Sequence, residues 1–222
     1  MEQNTLDSGE RRFILVQLPE LLSFDKAEQQ VAAEFCKSIG APLNISEITK
    51  ERLRRAGTKV KAENPMASND TGFRVFKLDS SNITAWDETA ARVDLAGTLL
   101  SAEQNIKAGR SEWDVLYEVL LKLGLPLTTP IDERTIAGHT VQLVGGGALL
   151  ACLSRKIAAA DVQELGRDMA DWLLEQDAAG DSHLLFLDSA FEDDAAKLNL
   201  STYLEQRAKT AEPKRTWVVR SI

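Results

Sequence analysis

Histidine and cysteine are scarce in this chain, with two of each among 222 residues. Cys36 and Cys152 stand far apart, there is no C-x-x-C pair, and no Cys/His cluster has zinc-ligand spacing. A disulfide framework and a structural zinc site are thereby excluded as organising devices. Each cysteine has apolar neighbours and reads as a buried core thiol. His139 and His183 lie in no recognisable nucleophile motif, which argues against Ser-His-Asp or Cys-His catalysis. No apolar run approaches the roughly 18 residues of a membrane helix. The first residues, MEQNTLDSGERR, lack the apolar stretch of a secretory signal, so a cytoplasmic location is expected. Positive charge is also in deficit: 26 Lys+Arg against 34 Asp+Glu leave a net charge of −8. A stand-alone nucleic-acid binder needs clustered cations, so this balance leaves at most a part in a larger DNA-binding assembly. What is present, 44% hydrophobic and 27% charged residues, is enough to build a core and excludes a mostly disordered chain.

Residues 1–10 are polar and read as loose. Phe13 to Leu18 is a nearly continuous apolar run closed by Pro19, the pattern of a strand buried on both faces. Val31, Phe35 and Ile39 recur at helical spacing until Gly40 and Pro42. A second helix is expected from Ser46, as its cap, to Asn64-Pro65, and a second strand from Phe73 to Leu78. Residues 86–110 have weak periodicity, and a domain boundary is expected near residue 90. Beyond it, Ser111 and Asp114 have the spacing of a helix start. Trp113, Leu116, Leu120 and Leu123 then share a face, and Gly124 ends the segment. Pro126 and Pro130 bracket an extended linker. Strands are expected at His139–Val144, Ala148–Leu153, 183–188 and the C-terminus, with helices through Val162–Trp172 and Phe191–Arg207. Strands alternating with helices imply an α/β fold.

Several segments invite chemistry. Gly145-Gly146-Gly147 lacks the G-K-[ST] ending of a phosphate loop and precedes an apolar run, so it reads as a hairpin turn. The Glu192, Asp193, Asp194 cluster sits at a helix start, where carboxylates complement the helix dipole. The helix 46–63 carries Arg52, Arg54, Arg55, Lys59 and Lys61. Arg52, Arg55 and Lys59 are candidates for phosphate contact with DNA, although Glu47, Glu51 and Glu63 make a solvated, charge-paired face the competing reading. Glu20 directly follows the first expected strand. A carboxylate at a strand end can accept two ribose hydroxyls, including those of S-adenosylmethionine.

The strings RRFILVQLPE, ISEITKERLRRA, GFRVFKLDSSNITAWD and RSEWDVLYEVLLKLGLPLTTPIDERTIAG, followed by the ending VRSI, resemble in order and spacing the C-terminal part of the modification (Mod) subunit of type III restriction–modification systems. The resemblance extends from about residue 11 to 222. It implies an adenine-specific DNA methyltransferase that uses S-adenosylmethionine and assembles with further Mod and with Res subunits. The fold it implies is α/β: an incomplete, C-terminal part of a Rossmann-like methyltransferase sheet over residues 11–90, then a smaller α/β domain of Mod type over 91–222. Glu20, and Asp79 in the Asp79-Ser80-Ser81-Asn82 turn, are the expected cofactor contacts. The D-P-P-Y and F-x-G-x-G motifs of that family are missing here; Asn64-Pro65-Met66 is the nearest approach to the first. The D-P-P-Y tetrapeptide holds a flipped adenine, and the glycines let the backbone approach the cofactor. The chain alone is therefore expected to be inactive.

Two readings remain open: a truncated or split methyltransferase subunit, or a stand-alone interaction module that binds Mod or Res. A fragment is expected to expose the sheet edge and the apolar surface where the missing first strand and helix belonged, whereas a selected module is expected to have covered it. A fragment is also expected to be less stable in its N-terminal region than in residues 110–222.

Overall fold

The computed structural model describes residues 1–67, 70–85, 87–94, 105–176, 180–211 and 216–222. The chain divides into two compact units, Met1–Lys77 and Leu78–Ile222. Part of the weakly periodic stretch 86–110 lies outside the described residues.

The first unit contains α1 (Glu2–Asp7), α2 (Gln30–Ser38) and α3 (Ile45–Glu63). Asn44 caps α3: its side chain accepts from the Ser46 amide, so the cap lies two residues before the expected Ser46. Asn64 ends the helix as expected. The buried hydrophobic cluster is small, with Leu22, Ala33 and Cys36 at its centre and Ala32, Leu43 and Ile48 against it. On α2 the buried positions are Ala33 and Cys36, whereas Val31 is 78% exposed.

The two strands expected in this half are not formed. Residues Phe13 to Leu18 have no ladder, and Ile14 and Val16 are 90% and 92% exposed. Phe73 to Leu78 likewise lacks strand pairing, with Val75, Phe76 and Leu78 exposed. Apolar composition makes a segment competent to be a strand, but a strand exists only where a neighbour satisfies its amides and carbonyls. Among the described residues neither segment pairs with another strand.

The second unit is mixed α/β. It holds α4 (Glu88–Val93), α5 (Glu112–Lys122), α6 (Val162–Leu174) and α7 (Asp194–Thr210). Its strands are β1 (Ile131–Ile136), β2 (His139–Val144), β3 (Leu149–Cys152), β4 (Ser182–Phe186) and β5 (Trp217–Ser221). They form one sheet in the order β1-β2-β3-β4-β5. The first three are an antiparallel meander, and β3, β4 and β5 run parallel through the crossover helices α6 and α7. Strand β1 was absent from the expected elements because its residues IDERTI carry three charges and alternate poorly. It is an edge strand, where charge is tolerated and discourages further pairing.

Local chemistry explains the rest. Ser111 and Asp114 form a complete capping box on α5. Gly145, Gly146 and Gly147 all have positive φ, and they turn β2 into antiparallel β3, as expected of a hairpin. Every residue of β3 is buried, as befits a central strand covered on both faces. Val162, Leu165, Met169 and Trp172 of α6 face the same core as Leu200 and Leu204 of α7 and Leu116 and Leu120 of α5. Fully burying one such aliphatic side chain contributes about 1.5–3 kcal/mol. Cys152 belongs to this core, Cys36 to the small one, and both are free thiols.

Candidate functional site

The sequence-derived site residues fall into three separate settings. Glu20 lies in the first unit, in the exposed loop before α2. Its amide donates to the Leu18 carbonyl at 2.8 Å and its carbonyl accepts from Ile45 at 3.2 Å, which fixes the backbone beside the start of α3. Its carboxylate is exposed and has no hydrogen-bond partner among the described residues.

Asp79 lies in the second unit. Its Oδ1 accepts from the Ser80 amide at 2.7 Å, and its Oδ2 stands 2.8 Å from Arg110 Nη2. The Ser80 amide and the Arg110 guanidinium together hold its carboxyl below the usual aspartate range. The turn that follows is fastened to α5. Glu118 accepts from the Ser81 hydroxyl and the Asn82 amide, and the Asn82 side chain donates to the Asp114 carbonyl. Lys107 Nζ donates to the Ser80 hydroxyl at 3.1 Å. A ligand at Asp79 must therefore compete with Arg110, and the hydroxyls beside it are already engaged. Sequence reading named Asp79 but missed Arg110 and Glu118. They lie some thirty residues or more downstream, and no local pattern joins them to the turn.

Arg52, Arg55 and Lys59 are brought together. With Phe35, Ile48 and Ala56 they line an open groove of about 450 Å³ between α2 and α3. The Arg55 guanidinium lies 5.2 Å from the centre of the Phe35 ring and its Nε donates to Glu51 at 2.8 Å. Lys59 is 3.8 Å from Glu63. Arg52 has no ion-pair partner among the described residues. Side-chain pairing on α3 thus follows the helix-face reading: Glu47–Lys50, Glu51–Arg54 and Glu51–Arg55 are also within ion-pair distance. Phe35 of α2 floors this groove.

The remaining candidates take structural parts. Asp193 caps α7 by accepting from the Ala196 amide, and Glu192 accepts from the Ala159 amide. His139 opens β2 and stands 3.4 Å from Asp161. Among the described residues no helix is long and apolar enough to cross a membrane.

No family model matches this chain. A stretch of 78 residues is 30% identical to the type III restriction-modification enzyme StyLTI Mod subunit of Salmonella typhimurium (strain LT2). It covers 35% of this chain and 11% of that subunit. The match supports a distant relationship to a Mod subunit.

Proposed function

We propose that this chain is a fragment or split portion of a type III restriction–modification DNA adenine-N6 methyltransferase (Mod) subunit and does not methylate DNA by itself. The observation that carries the reading is the 78-residue match to a Mod subunit at 30% identity. The exposed run Phe13 to Leu18 supports it physically, because a sequence apolar on both faces suits a strand taken out of a larger, helix-covered sheet. Glu20 is then one open carboxylate at the end of that strand, available to a ribose once the neighbouring strands are supplied. Asp79 offers less, since Arg110 and Ser80 already occupy both its oxygens. In this reading the described residues do not by themselves make up a site for S-adenosylmethionine, and cofactor, DNA and Res contacts belong to a complete assembly.

The test has two parts. Translating the DNA upstream of the Met1 codon in all frames is expected to reveal F-x-G-x-G and D-P-P-Y. Unrelated sequence there would leave the interaction module as the better reading. That alternative is favoured by the second unit, whose five strands and helices already enclose their own core. Incubating the purified chain with labelled S-adenosylmethionine and DNA is expected to give no methyl transfer, and transfer by the chain alone would overturn the claim of inactivity.

A further inference from the structure

Part of the apolar surface of α2 is left open, beside the buried Ala33 and Cys36. Val31 is 78% exposed, and Phe35, one turn further on, is only half-buried. Beside it, Ile48, Arg52, Arg55, Ala56 and Lys59 recur along one side of α3 over three turns, a length of about 16 Å. The groove between the helices has an apolar floor of Phe35, Ile48 and Ala56 and a cationic rim of Arg52, Arg55 and Lys59. Among the described residues no carboxylate lines it.

We propose that this groove docks an acidic amphipathic helix of a partner protein, an inference independent of the methyltransferase reading. Charge complementarity selects the occupant. Apolar side chains spaced along one face of the incoming helix fill the floor, and flanking carboxylates meet Arg52, Arg55 and Lys59. Arg52, without an ion-pair partner among the described residues, is open to such a carboxylate. Arg55 is held over the Phe35 ring by Glu51, so its charge is already placed at the groove. A DNA backbone fits less well. Phosphates would use the rim but leave the apolar floor of Phe35, Ile48 and Ala56 in water.

The test uses the full chain and a fluorescein-labelled synthetic helical peptide of about 14 residues, four turns. The peptide carries Leu and Phe at i, i+3, i+4 and i+7 and Glu elsewhere; a second peptide has Lys in place of Glu. Fluorescence anisotropy is expected to show saturable binding of the Glu peptide and at least about ten-fold weaker binding of the Lys peptide, a difference of about 1.4 kcal/mol. The double variant Arg52→Glu, Lys59→Glu, with its fold checked by circular dichroism, is expected to reverse that preference. Ile48→Asp is expected to weaken both peptides. Reversed preference in a folded variant separates the groove from a loss of structure. Three results overturn the proposal: equal affinity for the two peptides, binding indifferent to the double variant, or displacement of the Glu peptide by short duplex DNA at lower concentration than by unlabelled peptide. Self-association in sedimentation that Ile48→Asp abolishes would assign the groove to a second copy and would overturn it as well.

Discussion

Glu118 accepts the Ser81 hydroxyl and the Asn82 amide at 2.6 Å each, joining a turn to a helix across more than thirty-five residues. Its side chain is only 14% exposed, and Lys122 lies 2.9 Å away on the next turn of α5. Burial pushes its carboxyl up. Hydrogen bonds from Ser81, Lys122 and the Asn82 amide outweigh that and bring it down from 4.5 to about 2.

A folded-state value below the ordinary one means the carboxylate stabilises the fold when ionised. That contribution is complete above the ordinary value of 4.5 and is lost as pH falls toward about 2. Glu118→Ala is expected to cost about 2 kcal/mol at neutral pH, as for loss of charge-assisted hydrogen bonds. Urea denaturation at a series of pH values checks this. In the variant, the loss of stability over that acid window is expected to be shallower than in the wild type.

The β2–β3 hairpin depends on backbone freedom at Gly147, where φ is 108°. Gly147→Ala forces a side chain into that region and is expected to cost about 1–3 kcal/mol. Gly146, at φ 62° with open space around it, is expected to tolerate Asn far better, because Asn enters the left-handed region with little penalty. Comparing the two variants by thermal denaturation tests whether the turn, and not mere composition, sets the register.

Gly166 of α6 packs directly against Leu200 and Tyr203 of α7. A Cβ there would lie 2.8 Å from Leu200 Cδ1 and 3.2 Å from Tyr203 Cδ1. Alanine gains about 1 kcal/mol of helix propensity, but crowding a packed interface costs about 1–3 kcal/mol. A net loss is expected for Gly166→Ala and a larger one for Gly166→Leu, read as a progressive drop in Tm.

Protection from hydrogen exchange is expected to be greatest in β2, β3 and β4, where most side chains are buried. Residues 13–18 are expected to exchange at near coil rates, since no ladder holds them. Slow exchange across 13–18 in the isolated chain would refute their unpaired state.

Val16→Lys replaces an exposed apolar side chain with a charged one. Stability is expected to stay within about 0.5 kcal/mol of wild type, as for surface changes without partners. A large destabilisation would mean that the run is packed after all.

Sequence by itself determined the elements whose signals are local. The capping box at Ser111 and Asp114, the glycine turn after Val144, and the helical spacing of Val162, Leu165, Met169 and Trp172 need only neighbouring residues, and each forms where read. Tertiary structure decided what depends on distant partners. Phe13 to Leu18 reads as a strand yet lies unpaired, because pairing requires a second strand that composition cannot supply. The charged segment Ile131–Ile136 does not read as a strand yet pairs with β2, because an edge position and the Ala137-Gly138 turn bring it there. Asp79 was legible as a polar turn residue. Only the folded chain brought Arg110 to its carboxylate and Glu118 to the hydroxyl and amide that follow, since helix α5 and the turn meet through long-range packing that no local spacing encodes.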